Sequence, residues 1–219
     1  MVKDGIFYAL GLGIVAAILW YLTGSLTLVA LPLVLALFFL QFFRNPKRRI
    51  PTEPGLVVSP ADGVVTDVEW VETKSGSRLR LSVFLSVFDV HVNRAPVSGT
   101  VTAVEYRKGQ FKNAMSREAS LLNEQMMVVI DAGGYEVSFK LIAGLLARRI
   151  VCGLKVGDAV ERGQLIGMIK FGSRADILLP ADAELKVAKG TRVKGGATIL
   201  AVVPSVAEMQ ANLSRAVGA

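Results

Sequence analysis

The sequence predicts a mainly β protein, a compact antiparallel sandwich or barrel, carrying an N-terminal hydrophobic helical hairpin. Three observations predict it. No charged residue occurs between Gly5 and Phe43, a run of 39. From Leu56 onward the chain breaks instead into short runs of β-branched and aliphatic residues separated by Gly, Asp and Pro turn signals. A mean hydropathy of +0.49 with only 20% charged residues excludes a disordered chain and points to membrane segments.

The hairpin follows from length. One membrane-crossing helix needs about 20 apolar residues, so 39 is too long for one and enough for two. Thr23-Gly24-Ser25 supplies the break, giving arms of roughly Ile6–Leu22 and Leu26–Phe43. Each arm reaches about 25 Å, enough to span a thin bilayer or to dip into one and return. Pro32 places a kink in the second. A cleaved secretory signal fits less well, because Asp4 offsets Lys3 and the apolar run continues past any h-region.

Arg44-Asn-Pro-Lys-Arg-Arg49 follows at once, with four cations in six residues. By the positive-inside rule this flank sets the following domain on the cytoplasmic face of the cell membrane. It also suits anionic headgroups, at about 1 kcal/mol per charge near the surface. The net charge of +7 lies wholly beyond residue 43, since Lys3 and Asp4 cancel. A basic cluster abutting a membrane, with no aromatic-interleaved basic strand, argues against a nucleic-acid partner.

Two units are expected: an anchoring hairpin with its basic flank over 1–50, and one domain over 51–219. Strands are expected at Leu56–Ser59, Gly63–Trp70, Arg78–Leu85, Gly99–Arg107, Met126–Ile130, Tyr135–Ile142, Gln164–Phe171, Asp176–Leu179, Glu184–Val187 and Thr198–Val203. Asp131-Ala-Gly-Gly134 reads as a hairpin turn. Helical signal is confined to a turn at Glu118–Asn123 and a C-terminal segment, Pro204–Val217. The stretch from Leu154 to Gly167, partly repeated at Lys194–Leu200, has the glycine-turn rhythm of biotinyl/lipoyl carrier domains. A carrier needs a lysine at a hairpin tip between methionines. Met168-Ile-Lys170-Phe lacks that arrangement, so the rhythm marks hammerhead-like β elements. A non-catalytic, membrane-tethered carrier or binding module is nevertheless the competing function.

Chemistry-bearing residues are few. One Cys excludes an intrachain disulfide, and one His excludes a multi-His metal site; no metal is expected. Cys152 reads as a small buried hydrophobe. Ser59-Pro-Ala-Asp62-Gly63 is by itself only an acid in a tight turn. His91, in Asp89-Val-His91-Val-Asn-Arg94-Ala-Pro96, is by itself only a lone imidazole, and Gly172-Ser173 is a common dipeptide.

Together, and in this order, the three motifs resemble the signature of phosphatidylserine decarboxylases of the short form. The resemblance runs from Phe42-Phe-Arg-Asn-Pro46 through the Asp62 and His91 motifs and Asn123-Glu124. It continues to Ile142-Ala-Gly-Leu-Leu-Ala-Arg-Arg-Ile150, Gly163-Gln164 and Phe171-Gly-Ser-Arg174.

The resemblance implies an enzyme that makes its own pyruvoyl cofactor from Ser173. The Ser173 hydroxyl attacks the Gly172 carbonyl, the resulting ester eliminates, and hydrolysis leaves a pyruvoyl group on the new N-terminus. The products are a β chain, 1–172, and an α chain, 173–219. In turnover the substrate amine forms a Schiff base with the pyruvoyl carbonyl, which accepts electrons as CO2 leaves. The substrate is phosphatidylserine or its archaeal diether counterpart, and the product is the ethanolamine lipid. His91 is implied as the base for Ser173 and for proton transfer in turnover, with Asp62 orienting its ring. Longer members carry a second His where this chain has Arg94, which leaves that imidazole's role unassigned here. Asp89, Arg94, Phe111 and Arg149 are the candidates for holding substrate, Arg94 because a guanidinium grips carboxylate or phosphate bidentately. A homodimer is a further family expectation.

Overall fold

A computed structural model describes residues 3–73, 76–116, 118–145, 149–170 and 172–204. The C-terminal segment read as a helix from Pro204 falls almost wholly on residues 205–219, outside the described residues. Two apolar helices open the chain, α1 over Lys3–Thr23 and α2 over Leu26–Phe42, joined at Gly24 in the left-handed region (φ 60°). The sequence places the start of α1 three residues late. At 21 residues α1 is the one helix among those described that is long and apolar enough to cross a membrane; α2, with 17, is shorter. Both expose large aliphatic and aromatic side chains around most of their circumference, as helices that meet an apolar medium do.

The rest is antiparallel β structure in three sheets. The strands are β1 Leu56–Val58, β2 Gly63–Thr73, β3 Gly76–Leu85, β4 Val92–Arg94, β5 Gly99–Arg107, β6 Gln125–Asp131 and β7 Glu136–Ala143. They continue as β8 Ile150–Cys152, β9 Ala159–Val160, β10 Leu165–Ile169, β11 Ser173–Leu179, β12 Glu184–Leu185, β13 Arg192–Val193 and β14 Ile199–Val202, with a short helix, α3, at Ala119–Leu122 before β6. Eight strands form one curled half-barrel in the order β13-β2-β3-β11-β7-β6-β5-β9. Smaller sheets β4-β10-β8 and β1-β14-β12 accompany it. The mainly β class and the apolar N-terminus agree with the sequence reading; β4, β8, β9 and β13, each two or three residues long, are additions to it.

Strand alternation builds the core. Leu79, Leu81, Val83 and Leu85 of β3, Val137, Phe139, Leu141 and Ala143 of β7, and Ala175, Ile177 and Leu179 of β11 all turn to one face. That face packs on Ala95, Val97, Ile166 and Ile169 and on Leu200 and Ala201 from the smaller sheets. β11 lies between β3 and β7 and every residue of it is buried. Its other face carries a buried ion pair: Arg174 Nε donates to Asp176 Oδ1 at 2.5 Å and Nη2 to Ser82 Oγ at 2.7 Å. Removing one partner strands a buried charge, so Asp176→Ala is expected to cost about 3–5 kcal/mol. The paired change Arg174→Met with Asp176→Leu is expected to cost far less. Urea midpoints of the detergent-solubilised variants measure both.

The basic flank is bound to the domain. Arg48 Nη2 donates to both Asp62 oxygens at 3.0 and 2.7 Å. Arg94 Nη2 donates to Asn45 Oδ1 at 2.5 Å. Ile50 packs so closely on Gly163 (φ 77°) that a Cβ there would lie 2.5 Å from its Cδ1.

Candidate active site

β11 begins at Ser173, in register with Leu85 of β3 and Ala143 of β7. By alternation its side chain lies on the core face, fully buried, and its Oγ has no hydrogen-bond partner. Gly172, immediately before, adopts φ 62°, a left-handed conformation that suits glycine and turns the chain out of the sheet. Gly172 lines a cleft of about 290 Å³ together with Phe84, Ser86, Val87, Asn113, Ala114 and Leu145. Three of the four connections that line this cleft also expose Phe88, Met115 and Leu145.

His91 enters the site from the β3–β4 connection. The Asp89 N–H donates to the Ser86 carbonyl at 3.0 Å, and Asp89 Oδ2 accepts from both the N–H and Oγ of Ser86 at 2.8 Å. This locked turn aims the Asp89 carbonyl at His91 Nδ1, 2.9 Å away. A carbonyl only accepts, so Nδ1 carries the proton and Nε2 presents a lone pair. That lone pair accepts from the Gly172 N–H at 3.4 Å. The Phe42 ring lies against the imidazole, with centroids 4.0 Å apart. Burial, reinforced by the charge of Arg44 and opposed by Asp89, lowers the His91 pKa to about 4. The ring is therefore neutral at pH 7 and able to accept a proton.

The other predicted residues take varied places. Asp89 does not share a strand face with His91: it sits in a turn and touches the ring by its carbonyl, while its Oδ1 accepts from Arg192 at 2.9 Å. Asp62 accepts from Arg48 and, at 2.8 Å, from the Gly195 N–H; no hydrogen bond joins it to His91. Arg94 donates to the Gly163 carbonyl at 2.8 Å and to Asn45, and is not among the residues lining the cleft. Burial and the neighbouring Arg48 lower its pKa. Phe111 is half-buried against the core, and Arg149 is exposed. Burial raises the Cys152 thiol, so it stays protonated.

Two residues near the site carry roles that spacing alone does not reveal. Asn123 is fully buried; it exchanges hydrogen bonds with the Lys112 backbone at 2.9 and 2.8 Å and donates to the Ala143 carbonyl at 2.7 Å. It thereby ties the loop after Phe111 to the strand beside Ser173. Gly144 lies directly against the Gly172 carbonyl, where a Cβ would stand 2.1 Å from that oxygen. Both sit in stretches quoted above for the resemblance, which is the one signal that could have found them. Among the described residues, no group of three or more His, Cys, Asp or Glu is placed to hold a metal ion.

Comparison with known proteins adds the family. The family description "Phosphatidylserine decarboxylase" matches residues 35–201. The chain is 50% identical over 202 residues to a phosphatidylserine decarboxylase proenzyme of Solibacter usitatus, covering 92% of this chain and 96% of that one. A proenzyme of the same description from Carboxydothermus hydrogenoformans is 44% identical, covering 91% and 95%. One from Cupriavidus pinatubonensis is 48% identical over 182 residues, covering 81% and 84%.

Proposed function

The chain belongs to the phosphatidylserine decarboxylase family, and on that premise we propose that it is a precursor that cuts itself between Gly172 and Ser173 and then decarboxylates phosphatidylserine. One observation carries the cleavage reading: a neutral His91 directs its free Nε2 at the Gly172 amide, beside a buried Ser173 hydroxyl that no other group engages. The proton of Ser173 Oγ passes to His91 as the oxygen attacks the Gly172 carbonyl carbon. The Gly172–Ser173 amide is replaced by an ester, and the proton returns to the freed Ser173 nitrogen. Elimination across Cα–Cβ of Ser173 releases the Gly172 carboxylate as the end of the β chain. Water then displaces ammonia at the Ser173 Cα, leaving the pyruvoyl carbonyl at the start of the α chain.

The residues around Ser173 fit that group. It would begin a central strand, held on both sides by β3 and β7, directly after Gly172, which lines the cleft. When formed, it supplies the carbonyl that binds the substrate amine and the electron sink for decarboxylation. His91, whose Nε2 meets the Gly172 amide, is the base to return a proton to the substrate carbon. The exposed Phe88, Met115 and Leu145 give the cleft an apolar mouth suited to a lipid, and the Phe111 loop forms part of the same approach. Asp62 serves this site through the flank: its grip on Arg48 seats the chain that descends from α2. The hairpin holds the domain at the cytoplasmic face of the membrane, and two copies pair.

The carrier alternative loses its lysine. Lys170 is not presented at a tip; its Nζ donates to Asp4 at 2.8 Å and lies 5.5 Å from the Phe43 ring centroid.

The purified wild-type chain tests the proposal. Denaturing electrophoresis and intact mass should show fragments 1–172 and 173–219, the smaller with a blocked N-terminus, and the preparation should release CO2 from phosphatidylserine vesicles. A single uncleaved chain in active preparations would refute it. The fragments are expected to co-purify until denatured, because β11 stays in ladder with β3 and β7 while β13 pairs with β2 and β14 with β1. Size-exclusion chromatography before and after urea reads that outcome.

A further inference from the structure

The ends of the helical hairpin meet the cleavage site from two sides. At the end of α2, Phe42 is 1% exposed and its ring lies 4.0 Å from that of His91. Phe43 beside it is fully buried, and the Phe42–Phe43 pair packs with Val90, Val92 and Met168 in a cluster separate from the main core. A membrane anchor attached by a passive tether would not need two fully enclosed aromatics at its foot. At the start of α1, Gly5 approaches Phe43 so closely that a Cβ would lie 2.5 Å from the Phe43 Cβ. One residue earlier, Asp4 accepts from Lys170 at 2.8 Å, and Lys170 stands two residues before Gly172.

We infer that the foot of the hairpin is a working part of the self-cleavage site: Phe42 positions His91, and Asp4, through Lys170, holds the chain end that bears the Gly172–Ser173 bond. The inference rests on the reading of His91 as the base for self-cleavage and extends it to residues of the anchor. Phe42 is a positioning residue. It acts by fixing the imidazole plane between its own ring and the Asp89 carbonyl, and by keeping water from Nε2. The charged groups that act on His91 are Asp89 from its own loop and Arg44, just beyond α2. Removing the Phe42 ring admits water, so the imidazole returns toward its ordinary value of about 6.5.

The full-length chain, made by cell-free synthesis in the presence of anionic phospholipid vesicles and followed on denaturing gels, tests this. Phe42→Ala should cleave about tenfold more slowly than wild type at pH 7.5. At pH 5.5 the deficit should grow by about a further tenfold, because a hydrated imidazole is then about nine-tenths protonated while the buried one, at about 4, stays neutral. Phe42→Leu, which keeps apolar bulk over the ring, should recover most of the rate and the flat profile between those pH values. Asp4→Lys should slow cleavage several-fold, and Asp4→Lys combined with Lys170→Asp should restore it. If Phe42→Ala cleaves with the wild-type rate and profile while His91→Ala is slowed at least a hundredfold, the inference falls and the reading of His91 stands. If His91→Ala cleaves normally, both fall. Equal slowing of Phe42→Ala and Phe42→Leu at both pH values would mark Phe42 as structural only and overturn its positioning role.

Discussion

Ser173→Ala is expected to give an intact 219-residue chain with no decarboxylase activity and a melting temperature above that of the uncleaved wild-type precursor. The first two effects follow from chemistry: without Oγ nothing attacks the Gly172 carbonyl, and no pyruvoyl group can form. The third follows from burial. Ser173 is fully enclosed and its hydroxyl has no partner, so the precursor bears the desolvation cost of an unsatisfied hydroxyl, about 1–3 kcal/mol. Alanine removes that cost and leaves the β3–β11–β7 ladder unchanged. A drop in melting temperature would mean that Ser173 bonds to something in the folded precursor. His91→Ala is the companion variant. It keeps the nucleophile but removes the base, so cleavage should slow by about 10²–10⁴-fold rather than vanish. In the wild type, a base whose pKa is lowered to about 4 predicts a cleavage rate that is flat near neutrality and lost as pH falls through about 4. Precursor decay on gels between pH 3.5 and 8 measures this.

The sequence made much of this site legible, through residues whose chemistry admits few substitutes. Gly172-Ser173 and the single His91 are each common alone, and they were legible through the family resemblance that their motifs carry together and in order. The long strands β2, β3, β5, β6 and β7 were legible because alternation persists long enough to identify one buried face. Strands of two or three residues, such as β4 and β9, carry no period at all. The place of Asp89 was illegible for a related reason. Strand parity sets residues two apart on one face, but the Ser86–Asp89 turn breaks the strand, and the useful group proves to be a backbone carbonyl. Phe42 was illegible because α2 is apolar at every position but Thr27 and Gln41. In such a helix composition cannot separate a ring that meets lipid from one that meets an imidazole. The basic flank, grouped with the hairpin in the sequence reading, is bonded to the β domain through Arg48–Asp62 and Asn45–Arg94.

The sharpest steric prediction concerns Gly144. Its backbone follows Ala143, the β7 partner of Ser173, and brings its Cα against the carbonyl that Ser173 must attack. A methyl group there would lie 2.1 Å from the Gly172 oxygen and 3.1 Å from the Gly172 carbon. Both contacts are backbone, so no flexible side chain can yield, and either the scissile peptide or the end of β7 must move. Displacement of a reacting group by about 1 Å can cost about 10²-fold in rate. Gly144→Ala is therefore expected to slow self-cleavage at least that much, measured as the half-life of the full-length chain. Gly11→Ala is the matched control: that glycine lies within α1 with nothing within 4 Å of an added Cβ, and its substitution should leave the half-life unchanged. The contrast should persist in mild detergent, away from any bilayer, because the obstruction lies within the domain. Cleavage of Gly144→Ala at the wild-type rate would mean that the Gly172 carbonyl reacts from a position other than the one it occupies against Gly144.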